Sequence, residues 1–201
     1  MSLWFRLLRA IESSLSHARL GPLDEARLEM RTWPTDFDWT GHVGDERYLE
    51  LMKLGRYVLA SRQGILAEMN KKGVTAHVGA AEVQYLDELN MLESIQVASR
   101  VVAWDEKWLY LEQRIERSGG RAVAIGRVQL VFKQKGETVP PELVMSWSGQ
   151  QVASPILPEE YRRLRSNRPC EAPRCSMRFT EDDLPGLGSV SVLAESSSHP
   201  G

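Results

Sequence analysis

Hydrophobic positions recur at helical spacing at the start of the chain. Over residues 1–22 they predict a short amphipathic helix, with arginines on its other faces. We expect this helix to pack on the protein's own body, although Trp, Phe and Leu opposite Arg is also typical of helices that lie on a membrane surface or bind a partner. The apolar positions are Trp4, Leu7, Leu8, Ile11 and Leu15.

The next two predicted elements are a strand and a long helix. Residues 26–33 alternate between two kinds of side chain with a period of two, which predicts a strand that Pro34 ends. Over residues 46–64 apolar side chains occupy most of the helical circumference and leave a narrow polar stripe. We therefore predict a long helix that is buried around most of its girth, with Asp45 as its N-cap and Gly64 at its end.

Four strand-like segments follow almost without interruption. They cover residues 74–85, 95–104, 108–117 and 122–133. The first changes its hydrophobic phase near Gly79, which predicts a β-bulge. Short turns join the other three segments, which predicts an antiparallel meander.

The C-terminal part has fewer periodic hydrophobic residues. Residues 158–165 predict a short helix, and beyond residue 166 a composition rich in Pro, Arg, Ser and Gly predicts a disordered tail. The predicted organisation is an N-terminal helix at 1–22, one domain at 23–165 and a tail at 166–201. A strand, a long buried helix and a run of antiparallel strands predict an α+β domain whose sheet wraps around one helix.

Composition narrows the range of functions. With 201 residues and a net charge of −2, the chain has the length of one domain and no basic field that would attract nucleic acid. The two cysteines, Cys170 and Cys175, are too few for a disulfide scaffold or a structural zinc site, and no metal is expected. No hydrophobic run reaches the roughly 20 residues of a membrane-spanning helix, and no secretory signal is evident, so we expect a cytoplasmic protein.

Residues 31–56, RTWPTDFDWTGHVGDERYLELMKLGR, carry a combination of motifs. Asp-x-Asp, then Gly-His-Val, then Arg-Tyr-Leu-Glu at a helix start resemble the hotdog-fold acyl-CoA thioesterases of the 4-hydroxybenzoyl-CoA thioesterase-like superfamily. The segments WDEKW (104–108) and LEQ (111–113) are similar to the central hairpin of that family. The resemblance implies an α+β hotdog fold and a homo-oligomer, dimer or tetramer, with active sites between subunits. It also implies an acyl-CoA substrate, with coenzyme A as part of that substrate and no further cofactor.

The junction between loop and helix, residues 36–46, has the groups that thioester hydrolysis requires. The carboxylate of Asp38 supplies a nucleophile or a base, and the first-turn amides of Asp45 and Glu46 favour a developing negative charge. By resemblance, Asp38 matches the catalytic Asp of the family and the amide of Asp45 matches its oxyanion donor. On spacing alone, Asp38 also fits an ordinary Asx-turn residue that caps the loop.

Other residues of this region have more than one interpretation. His42 and Tyr48 join Asp45 and Glu46 in the predicted oxyanion and substrate-binding group. His42 also fits a residue that orders the backbone of its glycine-flanked loop, and Tyr48 faces either the acyl pocket or the core. Asp36 is expected to brace the loop. Some hotdog enzymes take their carboxylate from the central helix, but on this helix Glu50 is expected to be solvated.

One departure from the family pattern leaves a second function open. Where the family usually shows Asn-Asn, this chain has Gly44-Asp45, so a second carboxylate lies close to the oxyanion position. Its charge opposes the transition state unless Asp45 points away as an N-cap. The alternative function is therefore a non-catalytic acyl-thioester binding or scaffold protein. A hydratase is disfavoured, because the spacing from Asp38 to His42 is one residue shorter than the Asp-x4-His of that group.

Overall fold

The computed structural model describes residues 18–166. The predicted tail beyond residue 166 and the predicted helix up to residue 17 lie outside the described residues. Within the range predicted for that helix, residues 18–21 have no regular secondary structure and residues 22–23 form a turn. No helix within 18–166 has the length and apolar character needed to cross a membrane.

The described chain forms one antiparallel sheet and several helices. The strands are β1 (Ala26–Arg31), β2 (Val74–Tyr85), β3 (Ser94–Trp104), β4 (Leu109–Arg117), β5 (Ala122–Gln134) and β6 (Glu137–Val139). The helices are α1 (Asp45–Arg62), α2 (Ile65–Lys72), α3 (Pro141–Ser146) and α4 (Glu159–Ser166), and a 3-10 helix covers Pro34–Asp36. The five predicted strands and the long helix are confirmed to within about two residues. The sequence pattern missed α2, β6 and α3, which have eight, three and six residues, because elements this short contain few repeats of a periodicity.

The strand order in the sheet is β1-β3-β4-β5-β2, and β6 pairs with β5. All of these pairings are antiparallel, which confirms the predicted meander of β3, β4 and β5. The register between β2 and β5 shifts between Val78 and Ala80, which confirms the predicted bulge at Gly79. β1 pairs with β3, and β2 pairs with β5, so strands that follow one another in the chain are not always neighbours in the sheet. These two pairings cannot be deduced from chain order alone.

Helix α1 packs on one face of the sheet and supplies much of the hydrophobic core. Its buried residues include Leu51 and Met52, both 0% exposed, together with Tyr48, Leu54, Tyr57, Val58 and Leu59. The predicted burial around most of the helix is therefore confirmed. At Gly55 the helix approaches the sheet closely, because a Cβ there would lie 2.6 Å from Ser99 Oγ and 2.7 Å from Val97 Cγ1.

Gly55→Val is expected to destabilise the protein, because the added side chain overlaps Ser99 and Val97 on β3. Overpacking of a core typically costs about 1–3 kcal/mol. The matched control is Lys53→Val on the same helix, which introduces the same β-branched residue at a partly exposed position. Urea unfolding measures both variants, and equal free energies of unfolding would show that the helix can move away from the sheet at no cost.

A smaller hydrophobic cluster lies apart from this core and involves the last described helix. Tyr161 and Leu164 of α4 pack with Ala103 and Tyr110 of the sheet, and all four are buried. The rings of Tyr110 and Tyr161 meet edge to face with centroids 6.2 Å apart. Helix α4 therefore anchors the end of the described chain on β3 and β4.

Candidate active site

The loop before α1 is a tight reversal of the chain. Phe37 and Val43 form an isolated antiparallel bridge across it. The Asp38 N–H donates to the His42 carbonyl at 2.9 Å, and the Gly41 N–H donates to the Asp38 carbonyl at 3.1 Å. Gly41 has a φ of +85°, a conformation that favours glycine. The backbone therefore holds the segment 38–42 next to the start of α1.

The carboxylate of Asp38 accepts three hydrogen bonds on the same oxygen. Its Oδ1 accepts from the Thr40 N–H at 2.8 Å, the Thr40 hydroxyl at 2.5 Å and the His42 N–H at 3.1 Å. These bonds, with the Thr40 hydroxyl foremost, hold the pKa of Asp38 below its ordinary value. The Asx-turn geometry is thus present, and the side chain is an ionised carboxylate exposed at the surface.

Thr40→Val removes the hydroxyl donor and keeps the shape of the side chain. The pKa of Asp38 is expected to rise toward its ordinary value of 3.8, so the carboxylate takes up its proton at a higher pH than in the wild type. Titration of the side-chain carboxyl carbon by NMR measures this directly. Thr35→Val, in the 3-10 helix that precedes this loop, is the control and is expected to leave the titration of Asp38 unchanged.

The first turn of α1 has amides that no side chain caps. The N-cap is Gly44, with an extended backbone and no side-chain hydrogen bond, and Asp45 is the first helical residue. The prediction of Asp45 as the N-cap was therefore wrong: it is the Gly44 carbonyl that accepts the Arg47 N–H at 2.9 Å. Because a glycine N-cap offers no side-chain acceptor, the amides of Asp45 and Glu46 remain available to a ligand at the positive end of the helix dipole.

The side chain of Asp45 interacts with Tyr85, at the end of β2. Tyr85 has a raised pKa because it is partly buried and because its hydroxyl faces, and donates to, the Asp45 carboxylate. The rings of Tyr85 and Tyr48 meet edge to face with centroids 5.0 Å apart. Tyr48 itself is 5% exposed and belongs to the main core, so of its two alternatives the structure supports the core. Tyr85 was not among the predicted site residues, because nothing local in the sequence connects it with Asp45.

Asp36 and Arg47 connect the loop to the helix. Asp36 is buried, and its Oδ2 accepts the Trp33 N–H at 2.8 Å. Arg47 Nε lies 3.5 Å from Asp36 Oδ1, and Arg47 Nη1 lies 2.6 Å from Glu50 Oε2. These contacts are those of a residue that braces the loop, as the sequence predicts for Asp36. Glu50 is partly exposed and paired with Arg47.

The side chain of His42 is exposed and points to the segment that follows β2. Its Nδ1 lies 3.8 Å from Glu88 Oε1, and its backbone N–H is the group that reaches Asp38. The backbone of His42 thus helps to order the loop, while its side chain makes no contact with Asp38 that would assign it a role in the reaction. Glu46 is exposed in the first turn of α1.

Exposed hydrophobic side chains occur in this loop and in the segment after β2. Trp39, in the loop itself, is 96% exposed, and Leu86, Met91 and Leu92 are each about half exposed in the segment after β2. Arg117 holds that segment through two ion pairs. Its Nη1 lies 2.5 Å from Asp87 Oδ2, and its Nε lies 2.6 Å from Glu93 Oε1. Trp39 therefore places an exposed apolar side chain next in sequence to the exposed carboxylate of Asp38. Within residues 18–166, no group of three or more His, Cys, Asp or Glu side chains is placed to hold a metal ion.

Comparison with known proteins identifies the family and the fold. A family model described as the thioesterase-like superfamily matches residues 32–162. Protein THEM6 of Xenopus laevis is 26% identical over 151 residues, which cover 71% of this chain and 70% of that protein. A probable thioesterase of Saccharomyces cerevisiae is 24% identical over 119 residues, and these span 58% of this chain and about half, 51%, of the yeast protein.

Among solved structures, a DHNA-CoA thioesterase from Staphylococcus aureus superposes with a TM-score of 0.55 at 17% identity. The superposition covers 59% of this chain and 82% of that chain. At this level of identity the likeness concerns the fold, and it confirms the predicted α+β hotdog fold.

Proposed function

Since the chain belongs to the thioesterase-like superfamily, we propose that it hydrolyses acyl-CoA or a similar acyl thioester to a free acid and a thiol. The observation that carries this proposal is the junction at residues 37–46. There an ionised, exposed carboxylate, Asp38, is held in the same short loop that leads into the uncapped first turn of α1. Attack and charge stabilisation are the two requirements of acyl transfer, and this loop has a group for each.

Asp38 is proposed as the group that attacks or activates water. In the nucleophilic route, a carboxylate oxygen bonds to the thioester carbonyl carbon, the C–S bond breaks and the thiolate leaves with its electron pair. Water then hydrolyses the resulting anhydride, which releases the acid and restores Asp38. Because hydrogen bonds hold its pKa below the ordinary value, Asp38 is ionised at neutral pH, and this is the form that both routes require.

The amides of Asp45 and Glu46 are proposed to stabilise the oxyanion. Preorganised backbone donors at a helix N-terminus do this without reorganisation during the reaction. The carboxylate of Asp45 is the feature of this site that opposes such stabilisation. Its interaction with the Tyr85 hydroxyl supports the proposal, because a hydrogen bond to that carboxylate reduces the repulsion that a developing negative charge experiences.

A homo-oligomer, a dimer or a dimer of dimers, is proposed as the active form. Three features of the described chain support it: β2 is an edge strand, Asp38 is exposed, and Trp39 beside it has almost no contact with its own chain. A second copy paired along an open edge would bury such groups. Acyl-CoA is the proposed substrate, with no further cofactor.

A non-catalytic acyl-thioester binding or scaffold protein is the alternative. The observation that favours it is the state of Asp38, whose Oδ1 is already occupied by Thr40 and His42 as in a structural Asx turn.

The experiment that separates the two functions is thiol release by the purified protein from short, long and aromatic acyl-CoAs. We expect turnover of at least one class, linear in enzyme concentration. Saturable binding of an acyl-CoA without thiol release from any member of the panel would replace the hydrolase by the binding protein.

A further inference from the structure

Trp39 is the tryptophan that contributes nothing to the packing of the described chain. Its side chain is 96% exposed. The other tryptophans of residues 18–166 are partly or fully buried, namely Trp33, Trp104, Trp108 and Trp147. Because an enclosed aromatic side chain buries roughly 150–250 Å², the exposure of Trp39 leaves a large hydrophobic surface in water. Hydrogen bonds and packing within the chain do not account for this residue type.

The backbone around Trp39 is held by hydrogen bonds on both sides. The Gly41 N–H donates to the Asp38 carbonyl at 3.1 Å, and the Asp38 N–H donates to the His42 carbonyl at 2.9 Å. Residues 38–41 therefore form a turn with Trp39 at its second position. Such a position has no need of a large hydrophobic side chain, since turns are made mostly by small, polar and proline residues. The fold thus fixes the place of the ring but does not use it.

The space beside this turn is not filled by the described chain. A Cβ added at Gly41 or at Gly44 would have no atom within 4 Å. Gly44 has a φ of −68°, which other residues adopt equally well, so the backbone does not require a glycine there. The junction between loop and helix therefore has open room next to an exposed hydrophobic ring.

The oxygen of Asp38 that is left to react lies close to this ring along the chain. The three hydrogen bonds that the Asp38 side chain accepts from the described chain all go to Oδ1, so Oδ2 is the oxygen that faces a substrate. Neighbouring Cα atoms are about 3.8 Å apart, and an indole ring extends several ångströms further. A thioester whose carbonyl carbon contacts Oδ2 therefore brings one of its two arms, the acyl chain or the thiol, within reach of Trp39.

We propose that Trp39 is a specificity-determining residue that binds the acyl chain of the substrate and selects chains of roughly six or more carbons over acetyl. Hydrocarbon gains free energy when it covers the ring and leaves water. The thiol arm of coenzyme A carries amide groups, which lose hydrogen bonds to water in the same place, so it fits the ring less well. This assignment rests on the proposed function for the position of the thioester, but it does not require turnover.

A second copy of the chain is the other candidate for covering Trp39. A pocket between two copies encloses the ring together with the acyl chain, so the assignment is compatible with the proposed oligomer. A ring that served only as a subunit contact would differ in one respect. Its removal would then change the state of assembly and leave the selection of chain length as it was.

Binding of two analogues that cannot be hydrolysed tests the assignment. S-(2-oxopropyl)-CoA and S-(2-oxodecyl)-CoA keep a carbonyl group but have a methylene between it and the sulfur. By isothermal titration calorimetry, the wild type is expected to bind the long analogue at least about tenfold more tightly than the short one. Trp39→Ala is expected to reduce this ratio by at least about fivefold, and Trp39→Phe is expected to retain most of it.

Ile156→Ala is the matched control, because Ile156 is 92% exposed in the segment that precedes α4. It is expected to keep the wild-type ratio. Since both side chains are almost fully exposed, neither change is expected to lower Tm, so loss of folding does not obscure the comparison. Equal binding of the two analogues by the wild type, or equal weakening of both in Trp39→Ala, would overturn the assignment. So would dissociation of the Trp39→Ala oligomer in size-exclusion chromatography, which would give the ring to a second copy.

Thiol release measured on the same variants separates this assignment from the proposed hydrolase. In Trp39→Ala, the ratio of kcat/KM for decanoyl-CoA to that for acetyl-CoA is expected to fall at least about fivefold. If no thiol is released but the long analogue still binds through Trp39, the hydrolase is refuted and the acyl site stands. Hydrolysis with a chain-length preference that Trp39→Ala leaves unchanged would have the opposite meaning.

Discussion

Asp38→Asn is expected to reduce thiol release from an acyl-CoA by about a hundredfold or more, which corresponds to about 2.7 kcal/mol of transition-state stabilisation. The Asn side chain keeps an oxygen that accepts the hydrogen bonds of Thr40 and His42, so the loop retains its shape. It lacks the negative charge that attacks the carbonyl carbon or takes a proton from water. The measurement is kcat/KM on the acyl-CoA that the wild type hydrolyses best.

Asp24→Asn is the matched control for this variant. Asp24 is also an exposed aspartate whose carboxylate accepts a backbone N–H, that of Gly21 at 2.7 Å, and it lies outside the proposed site. Its activity and Tm are expected to match those of the wild type. If Asp38→Asn retains more than a tenth of the wild-type activity, the carboxylate of the reaction lies elsewhere, and Glu50 on α1 becomes the next residue to replace.

Leu51→Ala is expected to lower the free energy of unfolding by about 2–5 kcal/mol. Leu51 is 0% exposed between α1 and the sheet, and the truncated side chain leaves a cavity that a rigid helix and sheet cannot close. Since small domains are stable by only about 5–15 kcal/mol, this change removes a large part of the total. Urea unfolding followed by circular dichroism measures it.

Leu49→Ala, two residues earlier on the same helix, serves as the control. Leu49 is 38% exposed, so the same chemical change leaves no closed cavity and is expected to cost well under half as much. Similar losses in the two variants would contradict the placement of the helix, because they would mean that both leucines are equally buried.

Most of the fold could be predicted from the sequence because its signals are local. The strands β2 to β5 and helix α1 are long enough for their periodicities to be read over several turns or residue pairs, and the structure confirms them. β6, α2 and α3 contain three, eight and six residues and were missed because so few residues carry little periodicity. The N-cap is Gly44 and not the predicted Asp45. Residue types set only a capping preference, whereas the carbonyl that accepts the first helical hydrogen bond depends on the backbone conformation.

The candidate site also has a part that could be predicted from the sequence and a part that could not. Asp36, Asp38 and His42 lie within seven residues of one another, so their proximity follows from the chain itself and their motif was visible in the sequence. Tyr85 reaches Asp45 of α1 from the end of β2, and Gln113 meets Arg56 from β4, 57 residues further along the chain. No local pattern brings such pairs together.

The sequence by itself therefore determined the longer elements, their order, the central buried helix and the loop that carries Asp38, because each depends on neighbouring residues and on a repeat of two or 3.6. The tertiary structure alone decided that β1 lies beside β3 and β2 beside β5, that Tyr85 faces Asp45, and that Trp39 is left exposed next to Asp38. These features depend on how helix and sheet pack. Packing depends on the volumes and charges of residues far apart in the chain, which no periodicity records.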